Sequence, residues 1–430
     1  MWTDTRLALA WAMTWLILVT AAFLLLRRPS QERGSSRLLT LSPAGILLIA
    51  GIVRLAPAAL LPVGAGYDIE SYQLVTDALL SGREVYSAVL GRHPYLPFQM
   101  YIMAGSAYFA QITGLPYIVA IKLPAIVADI ALTGLIFRAS AQNGDRAWAT
   151  YVALLYALNP VSLLVTSYHG QFEAVTLLLL TASWYWWHTG RGTASPVALG
   201  LAILNKTWPV VFLPVYFIRL KNWRSRMLTA LIALGIPILF VGLYLIAFSA
   251  DPAPMLRRAL THRGVPGYWG PGAVFSPAAL SMQTLQPFVD ALFALRNWLL
   301  LAAVLAALWL TRRQTALDAF LTTILGMFAV TVGFGIQWLL WPVPFALLAG
   351  EDGWVRRFSL AAGLMLAVHL FGLHMAPLLS GWLPPATADW FIRLSGLPAW
   401  IVVIAWLIER LRRAQLSMPD SGRLRESPLF

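Results

Sequence analysis

Asp68 and Glu70 stand two residues apart, just after Gly64-Ala65-Gly66, in a stretch bordered by apolar segments. A carboxylate at the mouth of a membrane is partly desolvated, and there it can take a proton from an attacking hydroxyl. Asp68 is the first candidate for such a general base, and Glu70 is the reserve. The same two residues also suit a plain helix start, because an N-cap Asp and a first-turn Glu satisfy free backbone N–H groups and the helix dipole. Both readings stand on the sequence.

A second polar group, His169-Gly-Gln171-Phe-Glu173, follows Asn159-Pro160 and precedes an apolar run. Ionisable residues at membrane depth are costly, so His169, Gln171 and Glu173 are functional candidates by default. The plainer alternative is an interfacial histidine and a helix-start acid. Lys206, one of three lysines, lies in Asn205-Lys-Thr-Trp-Pro209. Proline should break the helix here, and a half-helix N-terminus favours anions, so Lys206 is a candidate phosphate contact. Snorkelling toward headgroups is its alternative. Gln337, beside Trp338 and Trp341-Pro342, suits a lipid phosphate or an aromatic belt. Asp129 and Lys122 are read as packing or pairing residues. A basic, aromatic, glycine-rich loop runs from Arg257 to Gly270. From it His262 and Arg263 are assigned to a donor phosphate and Trp269 to sugar or acceptor; Arg92 joins Trp269 from the first loop.

The elements that must position these residues are apolar. Only 11% of the 430 residues are charged and 59% are hydrophobic, against about 25% charged in an ordinary soluble chain. Candidate segments fall at about 6–26, 42–62, 96–113, 116–137, 147–165, 174–188, 196–218, 227–249, 295–310, 316–334, 335–349, 359–377 and 397–409. Eleven are read as spans. Residues 96–113 are read as interfacial, and 196–218 as two half-helices that dip in and return, with thirteen spans as the alternative. Twenty of the 31 Lys and Arg residues fit on one side of this arrangement, which makes that side cytoplasmic. The N-terminus is then expected outside, the tail from 410 inside, and the loops 63–95 and 250–294 outside. An amphipathic surface helix is expected from Asp68, with Ile69, Tyr72, Leu79 and Leu80 on its apolar face.

The net charge of +13 follows from this topology and argues for anionic lipid rather than nucleic acid as its partner. The excess of Arg over Lys suits a GC-rich, bacterial genome, hence a bacterial plasma membrane. With no cysteine there is no thiolate metal site or disulfide. Neither GxxxxGK[ST] nor GxGxxG occurs, and no hydrophilic stretch is long enough for a nucleotide-binding domain.

The order of these motifs, with Gly82-Arg-Glu-Val-Tyr86 and Pro94-Tyr-Leu-Pro97 between them, resembles the GT-C superfamily of polytopic glycosyltransferases. The likeness is nearest to members that use polyprenyl- or dolichyl-phosphate mannose or glucose, and it covers most of residues 60–350. It implies one all-α integral membrane domain over 1–430, a bundle of about 11–13 transmembrane helices with short amphipathic helices in the outer loops. It also implies inverting hexosyl transfer, mannose foremost, from a polyprenyl-phosphate donor to a glycolipid or glycan acceptor on the non-cytoplasmic face. By this resemblance Asp68 matches the family's first-loop acid, Lys206 a basic residue near the donor phosphate, and the His169–Glu173 stretch a polar site segment, which makes His169, Gln171 and Glu173 expected sugar or acceptor contacts. Gln171 stands where an acid would help to hold a cation, so no metal or other cofactor is expected. Two other classes remain as alternatives: a secondary transporter or flippase using Asp129, Glu173 and Lys206, and a lipid-linked glycan polymerase or ligase using the Arg257–Trp269 loop.

Overall fold

A computed structural model describes residues 5–29, 41–60, 64–143, 145–261, 264–281, 286–379 and 384–416. The chain divides into two compact units, Met1–Leu213 with Asn222–His262, and Pro214–Lys221 with Arg263–Phe430.

In the first unit the helices are α1 (Thr5–Leu25), α2 (Pro43–Leu60), α3 (Gly66–Leu80), α4 (Val85–Ala88), α5 (Phe98–Thr113), α6 (Tyr117–Ala120) and α7 (Leu123–Ser140). They continue with α8 (Arg146–Ala157), α9 (Pro160–Leu163), α10 (Glu173–His188) and α11 (Ala194–Asn205). The short α12 (Leu213–Arg219) belongs from Pro214 onward to the second unit, and α13 (Trp223–Phe248) and α14 (Pro252–Thr261) complete the first. The second unit holds α15 (Gly270–Ser281), α16 (Gln286–Leu310), α17 (Ala316–Val330), α18 (Pro342–Leu348), α19 (Asp352–Leu379), α20 (Pro385–Leu394) and α21 (Leu397–Leu416). Among its described residues a small ribbon pairs β1 (Val265–Pro266) antiparallel with β2 (Gly333–Phe334).

Among the described residues, six helical stretches are long and apolar enough to cross a membrane: Leu7–Leu25, Tyr117–Ser140, Trp223–Phe248, Gln286–Leu310, Asp352–Gly372 and Asp389–Ala414. A seventh is α8 with Pro160–His169, bent by 41°. The protein is thus all-α and polytopic, but several apolar segments form shorter helices. The 96–113 segment becomes the 16-residue α5, about 24 Å of helix against an apolar core of about 30 Å. The 196–218 segment is indeed broken: α11 stops at Asn205, Lys206 is extended, and a 3₁₀ turn restarts the chain at Trp208–Phe212.

The bend after α8 follows from Asn159-Pro160. Pro160 has no N–H to return to the preceding turn. The Asn159 side chain takes the N–H groups of Val161 and Ser162, capping a new helix. That helix widens into a π-turn over Leu164–His169, and Gly170 at φ 84° ends it. The N–H groups of Gly170 and Gln171 both donate to Val165 O at 3.1 Å.

Helix α3 turns Tyr72, Ile69 and Leu79 inward as expected, but Leu80 departs from the pattern. Its inward face is Ser71, Tyr72, Val75, Thr76 and Ala78, whereas Leu80 is exposed. The helix packs its middle against Met100, Met103 and Phe172 rather than presenting one apolar stripe.

Candidate active site

The site forms where the chain entering α3 meets the end of the π-turn. Ala65 N donates to His169 O at 3.4 Å. A Cβ on Gly170 would lie 3.3 Å from Ile69 Cδ1 and from Lys122 Cγ and Cε, at a φ that L-residues rarely adopt. Glycine is needed there twice over. Lys122 Nζ also donates to Ser167 O at 2.9 Å, holding the carbonyl end of the π-turn.

Asp68 is the third residue of α3 and does not cap it; Ala65 is the N-cap. Its Oδ2 instead meets His169 Nε2 at 2.7 Å and Gln171 Nε2 at 2.8 Å. The carboxylate therefore reads as a site residue rather than a cap. His169 and Gln171 flank Gly170, so one turn of backbone aims both side chains at one oxygen. Oδ1 takes no hydrogen bond from the described residues, and the side chain keeps 30% exposure. Burial alone would raise the Asp68 pKa. The His169 hydrogen bond and charge, Gln171 and nearby Lys206 outweigh it and hold the carboxyl below its ordinary 3.8.

A second pair lies beside the first. Lys206 Nζ is 2.6 Å from Glu173 Oε1, with both side chains buried. The ammonium also reaches Tyr95 OH at 3.4 Å and lies 4.6 Å from the centre of that ring. Snorkelling is excluded by this placement, because the charge points inward to a carboxylate. The helix break before Pro209 puts Lys206 there in extended backbone.

Beneath the π-turn lies a network that the sequence only hinted at. Asp129 accepts from Arg54 Nε at 2.6 Å, from Tyr156 OH, from Ser162 Oγ, and from Thr166 Oγ1 at 3.2 Å. Arg54 also donates to Ala157 O at 2.8 Å. Ala157 O would normally receive the Val161 N–H, which Asn159 has diverted. Arg54 thus supplies a donor lost at the bend. Asp129 pairs as expected, but Arg54 was not foreseen. A lone arginine inside the 42–62 apolar run was the signal. Tyr95 and His93 were also missed. His93 is buried against Tyr86 and Tyr95, and burial pushes its pKa down to about 4, leaving a neutral ring.

Other candidates fall elsewhere. Glu70 is largely exposed and meets Arg92 at 3.4 Å, while Arg92 also donates to Ser71 Oγ and lies over Tyr67. Trp269, expected at the sugar, is fully buried: it stacks on Phe334 at 4.0 Å and donates to Phe328 O. Its ring is committed to packing within the second unit, because the β1–β2 ribbon brings Phe334 beside it. Gln337 sits half-buried in a 3₁₀ turn of that same unit, next to stacked Trp338 and Trp341. His262 and Arg263 lie outside the described residues.

The fold is all-α and polytopic, and the fixed Asp68 carboxylate and the buried Lys206–Glu173 pair are its candidate site. Residues 95–342 match the profile of Glycosyltransferase family 87, more than half the chain, and the chain belongs to that family. It is a GT-C glycosyltransferase, as the motif order implied. The match includes His169, Gln171, Glu173, Lys206 and Gln337, and begins after Asp68. No curated protein matches the chain in sequence. Two solved structures of ArnT from Cupriavidus metallidurans are similar to it. The one bound to undecaprenyl phosphate has 13% identity and a TM-score of 0.45, with 87% of this chain and 77% of that one covered. The apo structure has 14% identity and a TM-score of 0.45, with 93% and 78% covered.

Proposed function

We propose that the protein is an inverting transferase that moves a hexose, mannose foremost, from a polyprenyl-phosphate donor to a lipid-linked or glycan acceptor on the non-cytoplasmic face. The observation that carries this reading is the Asp68 carboxylate, ionised and aimed by His169 and Gln171, with one oxygen unengaged. No nucleotide-sugar pool exists on that face, so a sugar must arrive attached to lipid.

In the proposed reaction the acceptor hydroxyl oxygen attacks the anomeric carbon and its proton passes to Asp68 Oδ1. The bond from that carbon to the phosphate oxygen breaks from the opposite face, and polyprenyl phosphate leaves. Phosphate is a good leaving group once its charge is met, so one base suffices and no matched acid is required. Lys206 is the proposed phosphate contact. With Glu173 beside it, its contribution is a directed N–H rather than net positive charge. Glu70 stays a reserve base, and Arg92 an acceptor contact. No metal has a part in this scheme.

The test supplies purified protein in nanodiscs with radiolabelled polyprenyl-phosphate mannose, glucose or arabinose and membrane lipid extract as acceptor. Transfer of one sugar with inverted configuration supports the reading. Transfer of none, with a stable and donor-free protein, overturns it.

A further inference from the structure

Four buried tyrosines in this unit have partners for their hydroxyl groups. Tyr86 OH donates to Tyr95 O at 2.7 Å, Tyr168 OH to Ala12 O at 3.0 Å, Tyr244 OH to Glu84 at 2.8 Å, and Tyr156 OH to Asp129. Tyr72 does not follow them. Its side chain is 4% exposed, and its buried hydroxyl has no hydrogen-bond partner among the described residues. A phenol hydroxyl taken from water without a partner is destabilising, and phenylalanine would avoid that cost at the same shape.

The ring needs no hydroxyl for its packing. It stands edge-on to Phe172 at 5.4 Å and joins the cluster of Val75, Met100 and Ile121. The hydroxyl's surroundings are polar, however. Tyr72 is one helical turn after Asp68 and so shares its face of α3. Asp68, Tyr95 and Glu173 all act electrostatically on it, and together with burial they raise its pKa well above 10, keeping the proton on. It is a buried donor one helical turn from the fixed carboxylate and within electrostatic reach of Glu173. His169 Nδ1 and Gln171 Oε1 are likewise buried without partners, on the two side chains that aim Asp68.

We propose that Tyr72 is a substrate contact, its hydroxyl donating a hydrogen bond to an oxygen of the lipid-linked sugar phosphate held against Asp68. This rests on the transferase reading above and adds a residue to it. The partner is an oxygen of phosphate or of a sugar hydroxyl; both are acceptors of the same kind. Tyr72 then helps to hold the donor while Asp68 takes the proton.

The experiment compares Tyr72→Phe with the unaltered protein in nanodiscs, measuring thermal unfolding, binding of polyprenyl-phosphate mannose and of polyprenyl phosphate alone, and transfer. Tyr72→Phe should unfold at the same temperature or higher, because an unpartnered buried hydroxyl is removed. Its kcat/KM should fall about tenfold, equivalent to about 1.4 kcal/mol. Equal loss of binding for both lipids assigns the contact to phosphate, and loss for the sugar-bearing lipid alone assigns it to a sugar hydroxyl. Unchanged binding and transfer overturn the proposal. So does a lowered unfolding temperature with unchanged kinetics per folded molecule, since that is a packing role. Asp68→Asn run alongside separates the failures. If it loses transfer while Tyr72→Phe keeps it, only the Tyr72 contact is wrong; if it also turns over normally, the base is wrong as well.

Discussion

Lys206 Nζ and Glu173 Oε1 lie 2.6 Å apart, and the two side chains are 4% and 0% exposed. Removing one member of such a pair strands the other. Lys206→Ala should therefore destabilise the protein by about 3–5 kcal/mol, apart from any effect on donor binding. Replacing both, as Lys206→Met with Glu173→Leu, should recover most of that stability. Donor affinity should stay reduced in the double variant and be partly kept in Lys206→Arg. Thermal unfolding and binding of polyprenyl-phosphate sugar check the two effects separately. Full donor affinity in a stable double variant would remove Lys206 from the phosphate.

Asp68→Asn keeps the shape of the side chain, and its amide oxygen in the Oδ2 position can still accept from both His169 and Gln171. The variant should insert, purify and bind donor normally, yet transfer at least about a hundredfold more slowly. Glu70→Gln should be close to unaltered, because Glu70 meets only Arg92 at 3.4 Å. Steady-state transfer by both variants decides which carboxylate is the base.

The pH dependence has a defined sign. The folded Asp68 carboxyl titrates below its ordinary 3.8. Its stabilising contribution is thus present above the unfolded pKa and lost as pH falls through the folded value. On its account alone, kcat/KM should be flat down to about pH 4. His169→Phe removes the strongest group favouring the carboxylate and leaves the burial that disfavours it. The acid limb should move to higher pH in that variant, and less far in Gln171→Leu. A pH–rate series checks the order.

Arg54 and Asp129 should behave as one unit. Arg54→Leu leaves Asp129 buried without its cation and removes a donor from Ala157 O, a loss of about 3–5 kcal/mol. Arg54→Lys should recover little, since one ammonium cannot replace a guanidinium that reaches Asp129, Ser162 and Ala157 together. Unfolding in detergent measures both.

Orientation is open to labelling because the chain lacks cysteine. Single cysteines at Ser81 and Ser276 should react with an impermeant reagent on intact cells, and one at Ser225 should not. The reverse pattern would place Asp68 on the cytoplasmic side and remove the case for a lipid-borne donor.

The membrane class and the polar residues of the site were legible because charge is scarce in this chain and each exception stands out. The break near Lys206 was legible from Pro209, although the helix ends at Asn205, several residues earlier. The number of crossings was not legible from apolarity. Residues 149–170 are almost entirely buried in protein, and hydropathy does not tell a lipid neighbour from a protein one. Nor was the partner of Asp68 legible, since Asp68 and His169 are 101 residues apart. Trp269 was misjudged for a related reason. An aromatic beside glycines suits a sugar site or a tight ribbon equally, and the pairing of Val265 with Phe334 decides it.

The bridge between Arg54 and Asp129 joins residues 75 positions apart, and a chain enters the bilayer in the order of its synthesis. Arg54 lies well inside α2, where an arginine raises the cost of insertion by about 2.5–3.5 kcal/mol. During biogenesis α2 is therefore held less firmly in the bilayer until α7 delivers its carboxylate. Its stable seating leans on a later helix, and chains that terminate before residue 129 should show α2 more accessible to an impermeant label than the full chain does.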